Sequence, residues 1–300
     1  MANLMDFSRC QPMRTSVSAQ PVTKARVRLA RCLGDALQAN ALDVYYQPQF
    51  EVDNGRCCGV EALARWVHPS GAFVAPSVFI TLAEQTGMID ELGALVLTSA
   101  CETVVGWGRQ ITSAPVLSVN VSVLQINSQF VRIIERALEE SGLPAYQLEL
   151  EITESALIVD TETVTGCLED WKSLGISLAL DDFGTGYSSL SCLASLPVDR
   201  LKLDLSLVHR MSQDSKCAVI VRSIIRLGSD LGIDVCAEGV ETEGQLQMLA
   251  DFGCPRVQGY LFGRPMPAKQ VRNVFETTWG NRPAPLHRQF SVGAGDSSAH

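Results

Sequence analysis

The 300-residue chain has only four histidines (His68, His209, His287 and His300), and none of its ten cysteines forms a C-x-x-C pair. That argues against a zinc site built from Cys and His at ligand spacing. There is no run of about 18 apolar residues, so no membrane span is expected, and the N-terminus lacks the apolar core of a secretory signal. Basic residues are also in deficit: 24 Lys and Arg against 33 Asp and Glu leave a net charge of −9. A nucleic-acid polymer or an anionic membrane needs a basic face, so neither is an expected partner. A small anionic ligand held through metal ions is still allowed. Neither an internal linker nor a repeat of fixed length is visible. The expected compartment is the reducing cytoplasm, with the cysteines as thiols. Cys101, Cys167 and Cys217 lie in helix-like stretches, where such a thiol packs as a small hydrophobe.

Hydrophobic residues make up 46% of the chain, enough for a sizeable core. Residues 1–25 and 280–300 carry no apolar period and are expected to be flexible tails, leaving 26–279 as one domain. Within it, eight short apolar runs read as strands: 44–50, 56–66, 116–122, 148–153, 177–182, 200–204, 234–239 and 256–262. Between them lie segments with apolar residues at three- and four-residue steps, among them QINSQFVRIIERALEESG and CAVIVRSIIRLGSDLG, each closed by a Gly. Strands alternating with helices over this length predict an α/β fold, a (β/α)₈ TIM-like barrel, with an open doubly wound sheet as the alternative. Only EVDNGR separates the first two strands, and Asp53-Asn54-Gly55 is a turn signal. The first strand is therefore expected to run antiparallel to the second. The long connection 67–115 has room for two helices.

The strands share a second property. Polar residues sit near their C-terminal ends: Glu61, Asn120, Glu151, Asp181 with Asp182, Lys202 with Asp204, Glu238 and Gln258. In a parallel barrel those ends converge on the face where active sites are built. Glu61, Asn120, Glu151, Asp181 and Asp182 offer only oxygen, a set that suits Mg²⁺, Mn²⁺ or Ca²⁺. Crowded carboxylates need cations to stay ionised. Two ions about 3.5–4 Å apart can activate a water and clamp an in-line phosphoryl displacement. Lys202 and Glu238, from neighbouring strands, are placed to orient or deprotonate that water. The loop DFGTGYSSL (182–190) is glycine-rich enough to approach a ligand or metal closely.

Taken together, YYQPQ (45–49), EALARW (61–66), NVS (120–122), EITES (151–155), DDFGTGYSSL (181–190), KLD (202–204), AEGVET (237–242) and QGYLFGRPMP (258–267) form an ordered series. The chain resembles the EAL-domain phosphodiesterases, named for the tripeptide that is Glu61-Ala62-Leu63 here, from about residue 30 to 278. The resemblance implies a modified barrel with one antiparallel strand, and opening of cyclic di-GMP to linear pGpG. It further implies two Mg²⁺ or Mn²⁺ ions, one on Glu61, Asn120, Glu151 and Asp181, the other on Asp181, Asp182 and Glu238. Lys202 matches the lysine of water activation, and Glu154 the glutamate that holds the glycine-rich loop. Gln47, Leu63, Arg65, Glu241, Gln258 and Tyr260 fall where the family contacts the dinucleotide. A homodimer is implied, and a regulatory protein partner is allowed. Leu205 departs from the pattern, since many relatives carry a polar or basic residue there. Two other functions are compatible with the family: a non-catalytic cyclic di-GMP receptor and a protein-interaction module.

Overall fold

The computed structural model describes residues 24–108, 115–154, 161–184, 193 and 196–279. The expected tails fall outside these residues apart from Lys24 and Ala25, which already belong to the helix Lys24–Gln38. That helix has no counterpart among the expected segments. It buries Leu33, Ala36 and Leu37.

All eight expected strands are present. They are β1 (Asp43–Glu51), β2 (Cys57–Val67), β4 (Val116–Val121), β5 (Leu148–Thr153), β6 (Ser177–Phe183), β7 (Arg200–Leu203), β8 (Asp234–Ala237) and β9 (Arg256–Gln258). Two short strands add to them, β3 (Phe73–Val74) and β10 (Met266–Pro267). Two residues are too few to show a period, which is why the sequence did not reveal them. The run expected to extend to residue 262 ends as a strand at Gln258, because the chain turns there, with the Phe262 N–H donating to the Gly259 carbonyl.

The strands close into a barrel in the order β1, β9, β8, β7, β6, β5, β4, β2, with β2 returning to β1. Closure rules out the open doubly wound alternative. β1 is antiparallel to both of its barrel neighbours, while every other barrel pair is parallel. The reversal follows from the tight turn at 52–56, where the Gly55 N–H donates to the Glu51 carbonyl and Arg56 pairs with Glu51 at 2.6 Å. β1 also contains Pro48, which has no N–H to give a ladder. On its outer side β1 pairs with β10 at Tyr45 and Tyr46 and with β9 from Gln49 onward, so Pro48 falls in the gap between them.

The connection from β2 to β4 holds two helices, Pro76–Thr86 and Ile89–Gly108, as expected. Later helices start at side-chain caps. Asn127 caps Ser128–Ser141, Asp214 caps Ser215–Leu231, and Thr242 caps Glu243–Asp251 with Gln245 completing a capping box. These caps fix where each helix leaves its strand. The helices bury one stripe against the sheet: Phe130, Ile134 and Ala137 from one, Cys217, Val221 and Ile225 from another. No helix among the described residues is long and apolar enough to cross a membrane.

Candidate active site

Strand alternation with a period of two sends every second residue inward. On β7 the inward pair is Arg200 and Lys202, and on β5 it is Glu149 and Glu151. The barrel therefore holds two stacked polar layers. The upper one, at the C-terminal ends of the parallel strands, gathers the expected site residues.

Lys202 is its centre, with a side chain only 1% exposed. Its Nζ lies 2.6 Å from Glu151 Oε2, 2.7 Å from Glu238 Oε1, 3.4 Å from Asp181 Oδ1 and 3.7 Å from Glu61 Oε2. Four strands thus aim carboxylates at one ammonium. Burial alone would favour neutral lysine, but Asp181, Glu151, Glu238 and Glu61 together hold the ammonium charged far above its ordinary pH range. The carboxylates divide unequally. Burial pushes Glu151 well up, with Glu61 and Asp181 adding to it against the pull of Lys202. Burial pushes Glu238 up to about 8 in the same way. Glu61 goes the other way: Lys202 and the amides of Gln258 and Asn120 outweigh its burial and keep it below the usual carboxylate range.

Those amides belong to a chain of hydrogen bonds. Asn120 Nδ2 donates to Glu61 Oε1 at 2.6 Å, and Gln258 Nε2 donates to Glu61 Oε2 at 2.5 Å. Gln258 also donates to Gln47 Oε1 at 3.2 Å and accepts from Gln49 Nε2 at 3.0 Å, while Gln47 Nε2 donates to the Gly263 carbonyl. Gln49 was not expected at the site. Its two-residue spacing from Gln47 on β1 was the available signal.

Asp181 and Asp182 sit where the β6–β7 register shifts, between Leu180 and Phe183. Asp182 has φ +57, one of two positive values outside glycine among the described residues, and its N–H donates to Asp181 Oδ1 at 2.9 Å. Bulges beside a site re-aim side chains. Here Asp181 turns inward toward Lys202 while Asp182 is exposed. Partial desolvation of its carboxylate and the neighbouring Asp181 raise the pKa of Asp182. Glu154 is buried just beyond β5, and its Oε2 accepts from the Gly184 N–H at 3.2 Å. The rest of the glycine-rich loop, 185–190, lies outside the described residues.

The expected substrate contacts spread outward from this centre. Leu63 and Arg65 line a cavity of about 430 Å³ next to Glu61 and Asn120, together with Ile80, Glu84, Leu92 and Val123. The Arg65 guanidinium lies 5.6 Å from the Tyr45 ring centre. Tyr260 is half exposed and carries the Arg264 guanidinium over its ring at 4.2 Å. Glu241 lies on the loop after β8, with its N–H held by Gln245 Oε1 at 2.8 Å.

The donors are all oxygen, and Glu151 Oε1 is buried with no hydrogen-bond partner, an acceptor suited to a cation. As the side chains stand, no three Asp, Glu, His or Cys among the described residues form an ion cage. The carboxylates face Lys202 instead. The set fits a hard divalent ion in kind, and loading one would require carboxylates to rotate off the ammonium.

The EAL domain family matches residues 30–265. An uncharacterized signaling protein of Caulobacter vibrioides is 42% identical over 245 residues, 81% of this chain and 30% of that protein. The bifunctional diguanylate cyclase/cyclic di-GMP phosphodiesterase MucR of Pseudomonas aeruginosa is 40% identical over 247 residues, 82% of this chain and 36% of MucR. The chain thus spans about a third of the length of these curated relatives. The solved PaMucR phosphodiesterase, in its c-di-GMP complex, superposes with a TM-score of 0.77 at 40% identity, covering 81% of this chain and 99% of that one.

Proposed function

Because the chain belongs to the EAL-domain family, we propose that it is a metal-dependent phosphodiesterase that opens cyclic di-GMP to linear pGpG. The observation that carries this reading is the convergence of four strand-end carboxylates on buried Lys202, with Glu151 Oε1 left unpaired. A divalent ion would be held by Glu61, Asn120, Glu151 and Asp181, and a second by Asp181, Asp182 and Glu238. When bound, such ions supply Lewis acidity toward the phosphate and lower the pKa of a water.

The chain's own residues divide the remaining work. Lys202 is held charged by its four neighbours, so its Nζ donates hydrogen bonds and orients the attacking water rather than taking its proton. Proton acceptance falls to a carboxylate, and Glu238, whose Oε1 lies 2.7 Å from Lys202 Nζ, is placed for that task. Asn120 and Gln258 keep Glu61 ionised and fix its two oxygens. Arg65, which lines the cavity, offers a planar fork to a phosphate oxygen. Leu63, Gln47, Glu241 and Tyr260 complete the surface offered to the dinucleotide. Glu154 holds the start of the glycine-rich loop through Gly184. A homodimer and a cytoplasmic setting belong to the same proposal. The eight cysteines among the described residues are all free thiols, which supports the setting.

The test is incubation with cyclic di-GMP and Mg²⁺ followed by chromatography. Linear pGpG should appear with Mg²⁺ or Mn²⁺, vanish with chelator and be suppressed by Ca²⁺, whose looser geometry misplaces the water. Tight binding without product would move the chain to the receptor reading. Full activity in excess chelator would sink the metal-dependent one.

A further inference from the structure

The short helix Leu205–Met211 follows Lys202 after two residues and has no assigned role. Seven residues are too few for a stable helix in isolation. It is fixed at its start by Asp204, whose Oδ1 accepts from the Ser206 N–H at 2.9 Å, and by buried Leu207, Val208 and Met211. Leu205, Leu207 and His209 face the two segments that flank Lys202. On one side is Gly184, just past the aspartate pair: a Cβ there would come within 2.5 Å of Leu207 Cδ1. On the other is Gly239, with φ +66, where a Cβ would lie 2.5 Å from Leu205 Cβ and 3.6 Å from His209 Nε2. Gly239 is therefore boxed between backbone conformation and helix, a place only glycine fits.

His209 makes this contact directional. With the proton on Nε2, it donates to the Gly239 carbonyl at 3.0 Å, and the same nitrogen lies 3.9 Å from Glu241 Oε2. Gly239 stands between Glu238 and the loop that carries Glu241. The next residues are tied elsewhere: Val240 N–H to the Gln258 carbonyl at 3.0 Å, and Glu241 and Thr242 N–H to Gln245 Oε1. The His209 side chain is 38% exposed, so burial does not explain its place.

We infer that His209 is a positioning residue, which braces the Gly239 carbonyl and so sets the directions of Glu238 and Glu241 relative to Lys202. The inference rests on the phosphodiesterase reading for its functional consequence, but the brace itself is a property of the ligand-free chain. Loss of the hydrogen bond lets Gly239 rotate, and both carboxylates move with it. Glutamine reaches far enough to donate from its own amide, whereas leucine fills the space without a donor.

The experiment compares wild type, His209→Leu and His209→Gln. Amide hydrogen exchange of residues 239–242 in the ligand-free protein reads the brace. Calorimetric binding of cyclic di-GMP in Ca²⁺, together with kcat and KM in Mg²⁺, reads the consequence. Leucine should speed exchange in 239–242 alone, weaken dinucleotide binding about fivefold, the worth of one neutral hydrogen bond, and lower kcat as well. Glutamine should restore all three. If leucine broadly lowers the melting temperature, His209→Asn, whose amide stops short of Gly239, takes its place. Unchanged exchange in 239–242 would overturn the brace. Faster exchange with unchanged binding and kinetics would overturn its positioning role. Wild type that binds but does not cleave defeats the enzymatic reading alone, and exchange and binding still decide for His209. Wild type that does neither leaves exchange to decide the brace and refutes the functional role.

Discussion

The two polar layers inside the barrel are built from the same strands, two residues apart, yet their charges are arranged in opposite ways. In the lower layer Arg200 Nη1 meets Glu149 Oε1 at 2.6 Å, and Ser118 Oγ donates to the same oxygen at 2.7 Å. Asp234 Oδ2 is shared by Arg200 at 3.4 Å and Arg256 at 2.6 Å. Cation and anion are matched there. In the upper layer four carboxylates surround a single ammonium, and burial pushes Glu151 and Glu238 up while Lys202 and two amides hold Glu61 down. Balanced charge at the N-terminal end of a barrel holds the fold, while surplus negative charge at the C-terminal end is kept for a cation. The contrast is between Arg200, one cation facing the carboxylates of Glu149 and Asp234, and Glu151, one of four carboxylates facing a single ammonium.

Replacing the central cation of each layer tests that contrast most strongly. Lys202→Met should lower kcat by about 10²–10⁴, the range of acid–base and water-orienting groups, while calorimetric binding of cyclic di-GMP in Ca²⁺ changes far less. Equal losses in both would make Lys202 a structural counter-ion like Arg200. Arg200→Met should show the reverse: about 3–5 kcal/mol less stability in urea unfolding, because Glu149 is left buried and uncompensated, with kcat per folded molecule near wild type. A stable but inactive Arg200→Met protein would erase the distinction between the layers.

Smaller effects sharpen it. Glu154→Ala removes the acceptor for the Gly184 N–H and should raise the Mg²⁺ concentration for half-maximal activity about 10–100-fold, as loss of an outer partner of a metal site does, with circular dichroism unchanged. Unaltered Mg²⁺ dependence would make Glu154 merely a buried carboxylate. The smallest effect is in pH. Glu238, at about 8 in the ion-free protein, is largely protonated at neutrality, and a metal ligand must lose its proton. Mg²⁺ affinity should therefore rise with pH below about 8, by at most about tenfold per unit, and level off above it. Calorimetry in buffers of different ionisation enthalpy should show protons released on binding. A flat profile from pH 6 to 9 would exclude Glu238 as a ligand.

Much of this was legible in advance because strands advertise themselves by period and site residues by position. The eight runs, the hairpin reversal at 52–56 and the strand-end residues required only alternation and turn chemistry. What stayed hidden depends on side-chain reach. Nothing in the letters DDF indicates a register shift that turns Asp181 in and leaves Asp182 exposed. Arg200 and Glu149 stood at the ends of strands where no chemistry was sought. The helix Leu205–Met211 was too short for periodicity to reveal, and its capping Asp204 read equally well as one more strand-end acid. The amide chain from Gln49 to Glu61 joins residues 209 apart in sequence at the Gln49–Gln258 bond, a proximity that only closure creates.

That closure also governs the order in which the barrel can be made. β2 and β1 meet early, through a turn of a few residues, but the other side of β1 must wait for β9 and β10, which lie near the end of the domain. Until residues 256–267 are available, β1 and β8 present unpaired edges, the kind of template on which chains join one another instead of themselves. The seam between β1 and β9 is thus a late, long-range event in folding. A ribosome-bound or proteolysed chain that stops short of Arg256 is expected to aggregate, even though every carboxylate of the upper layer has already been synthesised.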